Sequence, residues 1–112
     1  MSGSEPLIRG IADVEAFERV PLQERCDAWT LPEVVARGAA LNPAAVALHC
    51  LRNANPDEVP LSLSYAEFMS KVRQTANLLR RLFQGRDGVV GVLLPLLPEN
   101  YFLLCGAPSA GI

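Results

Sequence analysis

The chain has few of the residues that usually mark a catalytic or metal-bound centre. His49 is its one histidine, and its three cysteines, Cys26, Cys50 and Cys105, show no C-x-x-C spacing. An odd count without paired spacing argues against a disulfide framework or a zinc site, so reduced buried thiols are expected. Charge is nearly balanced, −2 at pH 7 with a pI near 5.3, and basic residues adjoin only at Arg80-Arg81. That pattern carries no nucleic-acid footprint. The first residues include Glu5, Arg9 and Asp13 but no apolar core, so no secretory signal is expected. A glycine-rich phosphate loop is also missing. Gly85, Gly88 and Gly91 follow G-x-x-G-x-x-G and precede an apolar run, where a phosphate loop would have to cap a helix. The longest apolar stretch, residues 88–112, is broken by Pro95, Pro98, Pro108 and Glu99, which argues against a transmembrane helix. Internal repeats and low-complexity tracts are absent.

Apolar side chains are abundant. Half of the 112 residues are hydrophobic, and mean hydropathy is +0.20. A chain of this length buries only about two-thirds of its unfolded surface when it folds alone. The composition therefore implies apolar surface intended for a neighbour.

Residues 1–29 have weak periodicity and are expected to form an N-terminal arm, with Val14, Phe17 and Val20 on one short amphipathic turn before Pro21 and Trp29 as a packing anchor. Residues 30–112 carry stronger signals. Thr30-Leu31-Pro32-Glu33 matches a capping box with proline in the first turn, and Asn42-Pro43 ends that helix. Its inward stripe should be Leu31, Val34, Val35, Ala39 and Leu41. Residues 44–50 read as a strand, residues 51–60 as a surface loop and residues 61–63 as the partner strand of an antiparallel hairpin.

Ser64-Tyr65-Ala66-Glu67 is a second capping box. The helix it opens places Tyr65, Phe68, Met69, Val72, Ala76, Leu79 and Phe83 on one face, with Lys71, Gln74, Asn77 and Arg81 away from it. Residues 84–88 supply a stop and a turn. Val89, Val90, Val92, Leu93 and Leu94 then read as a strand buried on both faces. A final helix should run over residues 101–107, closed by Pro108 and Gly111. Strand, proline turn and helix make the first part of a β-α-β crossover, whose second strand would have to begin near residue 112.

The reactive side chains all have plain structural readings. His49 lies in an apolar run and is expected to be a buried or half-buried structural imidazole. Cys105 should be a core thiol, and Glu33 and Glu67 cap partners. Asp57 and Glu58 are expected to be solvated, and Arg80-Arg81 to form a solvated helix end. No catalytic, cofactor-binding or metal-binding residue is assigned.

The ordered motifs resemble a family. Tyr65-Ala66-Glu67-Phe68 followed by Ala76-Asn77-Leu78-Leu79 is similar to the Y-x-E-L … A-N-x-L helix of AMP-forming adenylating enzymes. Residues 89–99, with Leu94-Pro95-Leu96-Leu97-Pro98-Glu99, resemble that family's V-x-x-x-L-P-N-x-P-E strand and turn. Gly106-Ala107 and Ala110-Gly111 resemble its G-A-x-x-A-G helix end. Leu31-Pro32-Glu33 and residues 42–48 resemble its first helix and strand. The likeness covers residues 30–112 and is closest to acyl-CoA synthetases of the fatty-acid type. Leu96 stands where asparagine is frequent, Asp87-Gly88 reverses the usual order, and Pro108 is expected to interrupt the helix end.

The resemblance implies an α/β fold, with residues 30–112 forming an incomplete N-terminal piece of the large domain. It also implies a cytoplasmic parent ligase that uses ATP, Mg²⁺ and CoA to activate a carboxylic, fatty-type acid. This chain would bind none of the three cofactors, because the family's phosphate loop, adenine site and catalytic lysine lie in segments it does not contain. Its partner would be the remainder of that ligase. The rival reading is a non-catalytic interaction module that docks through an unpaired sheet edge. A flavodoxin-like nucleotide binder is disfavoured, because only one parallel strand and no anion loop are present.

Overall fold

The computed structural model describes residues 7–53 and 55–112. In chain order the elements are α1 (Ile11–Glu18), α2 (Leu22–Arg25), α3 (Leu31–Leu41), β1 (Val46–Cys50), β2 (Leu61–Ser64), α4 (Tyr65–Phe83) and α5 (Pro98–Ala110). The fold is mixed α/β, as expected.

Both capping boxes form. The Thr30 hydroxyl accepts from the Glu33 N–H at 3.4 Å, while the Glu33 carboxylate accepts from the N–H groups of Trp29 and Thr30 at 2.7 and 3.0 Å. At α4 the Ser64 hydroxyl accepts from the Glu67 N–H at 3.2 Å, and Glu67 accepts from the Ser64 N–H at 2.8 Å. The first two α4 amides, Tyr65 and Ala66, donate to the carbonyls of Ala45 and Pro43 at 2.9 and 3.0 Å. The start of α4 is thereby tied to the start of β1, and few of its orphan donors are left open.

β1 and β2 pair antiparallel, with Leu48 opposite Leu63, His49 opposite Ser62 and Cys50 opposite Leu61. The register shifts between Val46 and Leu48, so Ala47 is a bulge residue. Among the described residues this ladder is the whole sheet.

The α4 face emerges as its periodicity requires. Phe68, Val72, Ala76 and Leu79 are buried, and Lys71, Gln74, Asn77 and Arg81 are exposed. Phe68, Val72 and Cys105 make the central cluster, with Val35, Ala47, Met69 and Phe102 packed around it. Phe68 meets Phe102 at 5.7 Å between ring centroids. Gly106 lies against Thr75 and Ala76, and Arg80 donates to the Ser109 carbonyl at 2.6 Å. These three contacts fall in the same order along both helices, so α4 and α5 run side by side in the same direction. The connection between them must therefore travel back along the helices.

That connection holds the largest correction. Residues 89–94 form no ladder, and the strand expected there is absent. Val89 and Leu93 are 92% and 98% exposed, while Val92 and Leu94 on the opposite parity are 40% and 43% exposed. One side of the ribbon leans on the body and the other faces solvent. A strand is a paired object, and no described segment supplies its partner.

Other expectations also change. Of the proposed α3 stripe, Val35 and Ala39 are partly covered, whereas Leu31, Val34 and Leu41 are exposed. Trp29 is 79% exposed, so it is not a packing anchor among the described residues. The arm region forms α1 and α2 with no buried residue; Val20 falls between them, and residues 1–6 lie outside the described residues.

Pro108 does not close α5, which continues to Ala110. Proline there forfeits one amide bond, and the last turn is held otherwise. The Ser109 hydroxyl donates to the Cys105 carbonyl at 2.7 Å, and the amides of Gly111 and Ile112 donate to Pro108 and Ala107. With Gly111 at φ 80°, these last two bonds make a Schellman ending. The radius of gyration is 17.5 Å, against roughly 13 Å for a compact chain of this length.

Candidate functional site

Two adjoining hollows lie where the hairpin faces α5, sharing Leu48 and Tyr101. The first, about 270 Å³, is bordered by His49, Cys50 and Leu51 on β1 and its exit, and by Leu96, Leu97 and Pro98 at the start of α5. The second, about 230 Å³, reaches inward to Val35, Tyr65, Phe68 and Cys105. Neither is lined by an Asp, Glu, Lys or Arg among the described residues; the inner hollow is mainly apolar, whereas the outer one presents polar and apolar surface in similar measure.

His49 departs from expectation. It is exposed, and its Nδ1 lies 2.7 Å from the Ser62 hydroxyl across the ladder. Strand alternation explains this, because β1 turns Leu48 inward and the next residue outward. Ser62 was not singled out in the sequence, being thirteen positions away; the hairpin register was the signal that could have found it. A Ser–His contact supplies two parts of a nucleophilic apparatus. Here it sits on an open two-stranded surface, and the neighbouring hollow offers it no carboxylate. Its geometry is that of a cross-strand hydrogen bond that helps hold the register.

The remaining candidates separate rather than converge. Cys105 is buried in the core, and burial pushes its thiol up, away from the thiolate a nucleophile needs. Cys26 and Cys50 are free and half-covered. Glu58, expected to be solvated, is half-buried and clamps its own loop, accepting from the N–H groups of Arg52 and Asn53 at 2.7 and 2.8 Å. Asp57 stays exposed, its N–H donating to Asn55. Arg80 is not simply a solvated cation, because it bridges α4 to the end of α5; Arg81 is exposed. Asp27 pairs with Arg37, and the Arg37 guanidinium holds its carboxyl below the usual range. No group of three His, Cys, Asp or Glu side chains among the described residues is arranged to hold a metal ion. Likewise, no described helix is long and apolar enough to cross a membrane.

Glu33 and Glu67 are cap partners as expected, and both have carboxyls held below the ordinary glutamate value of 4.5. For Glu33 the main cause is the Trp29 amide, then that of Thr30; for Glu67 it is the Ser64 amide, then the Ser64 hydroxyl. A folded-state value below the unfolded one stabilises the fold above the unfolded value, and that contribution is lost as pH falls through the folded value. Helicity followed by circular dichroism is therefore expected to decline on acidification below 4.5. The Glu33→Gln/Glu67→Gln variant, which keeps an acceptor at each cap but cannot titrate, should retain more of it. Identical acid profiles for the two proteins would contradict this account.

No protein-family model matches the chain, and no solved structure matches it. It is 34% identical over 110 residues to marinolic acid–CoA ligase from Pseudoalteromonas sp. (strain SANK 73390), an alignment covering 98% of this chain. The chain spans about 17% of the length of that ligase. Along nearly all its length, then, this sequence is similar to one part of an acid–CoA ligase.

Proposed function

We propose that this chain is an N-terminal scaffold segment of an ATP-dependent acid–CoA ligase. In the intact enzyme a carboxylate would attack the α-phosphate of ATP, with Mg²⁺ assisting, to give an acyl-adenylate and pyrophosphate. The CoA thiol would then displace AMP to form the thioester. Adenylation turns a poor leaving group into a good one before the thiol attacks. The hairpin, α4 and α5 would contribute packing to that body, in a cytoplasmic setting, and the acid would be of the fatty type. The supporting observation is the 34% identity to marinolic acid–CoA ligase over almost the whole chain.

Two measurements test the proposal. ATP–pyrophosphate exchange by the purified 112 residues, supplied with Mg²⁺ and fatty acids, is expected to stay at background. Acyl-adenylate formation by the isolated chain would refute the scaffold assignment. Separately, the gene is expected to continue in frame into a Ser/Thr/Gly-rich loop ending in lysine, and a frame without one would refute the ligase assignment.

A second reading, a docking module without catalysis, is favoured by the solvent-facing side of the ribbon at Val89 and Leu93. Light scattering coupled to size exclusion separates the two. A sharp monomer or defined dimer supports the module, whereas concentration-dependent self-association of the folded chain, without a defined stoichiometry, supports a segment whose apolar surface belongs inside a larger body.

A further inference from the structure

We draw no further inference here: the strongest candidate, the exposed apolar ribbon of residues 89–94 between α4 and α5 with the groove beside the hairpin, is an unpartnered apolar face, and nothing in the structure shows what covers it.

Discussion

Replacing Phe68 with alanine is expected to abolish cooperative unfolding of this chain. Phe68 sits at the centre of a small core, in contact with Val72 and Cys105 and tilted against the Phe102 ring. Truncating a buried phenylalanine to alanine costs about 3–5 kcal/mol, through lost transfer energy and the cavity left behind. A typical domain holds only about 5–15 kcal/mol in total. This one, with few buried side chains and an extended shape, belongs at or below the low end of that range. Urea titration followed by circular dichroism should show a sigmoidal transition for the parent and a shallow drift for Phe68→Ala. Leu78→Ala, on the exposed side of the same helix, should shift the midpoint little, within about 0.5 kcal/mol. If Phe68→Ala and Leu78→Ala unfolded at the same urea concentration, the cluster around Phe68 would not be what holds the helices together.

The second large effect is expected at Gly106, where α5 lies close against Thr75 and Ala76 of α4. A Cβ at this position would lie 2.8 Å from the Thr75 methyl and 3.3 Å from the backbone nitrogen of Ala76. Turning the methyl aside would break the bond from the Thr75 hydroxyl to the Lys71 carbonyl and would leave the Thr75 Cβ at 3.0 Å, and the backbone cannot move. Alanine would gain about 1 kcal/mol of helix propensity over glycine, which offsets part of the clash. Valine adds bulk and forfeits much of that gain, so Gly106→Val should lower stability by about 2–3 kcal/mol, the upper part of the range for overpacking. Removing the opposing methyl with Thr75→Ala should recover part of the loss. The two changes should therefore be non-additive in a double-mutant cycle. Strict additivity would mean that the helices do not meet at this point.

Local chemistry was legible in advance, since its signals act over three or four residues. The Thr30 and Ser64 capping boxes, the α4 face from Phe68 to Leu79 and the glycine ending at Gly111 all follow from short spacings, whereas α5 begins at Pro98, three residues before the helix expected from residue 101. The loop between the strands was also legible, as a polar, turn-rich stretch. Its clamp by Glu58 was not, because two adjacent acids look alike until the backbone folds round one of them.

By itself, then, the sequence determined α3, the hairpin and α4 in that order, the two capping boxes and the inner face of α4, and its motif order pointed to acid–CoA ligases before the alignment did; the strand it implied over residues 89–94 does not form. Only the tertiary structure decided what those elements meet. It put His49 outside and beside Ser62, left Trp29 uncovered, joined Arg80 to Ser109, carried α5 through Pro108 and left residues 89–94 without a ladder. Periodicity depends on neighbours along the chain, whereas burial and strand pairing require a surface contributed from a distance. An apolar run such as residues 89–94 states what kind of partner it needs without containing one.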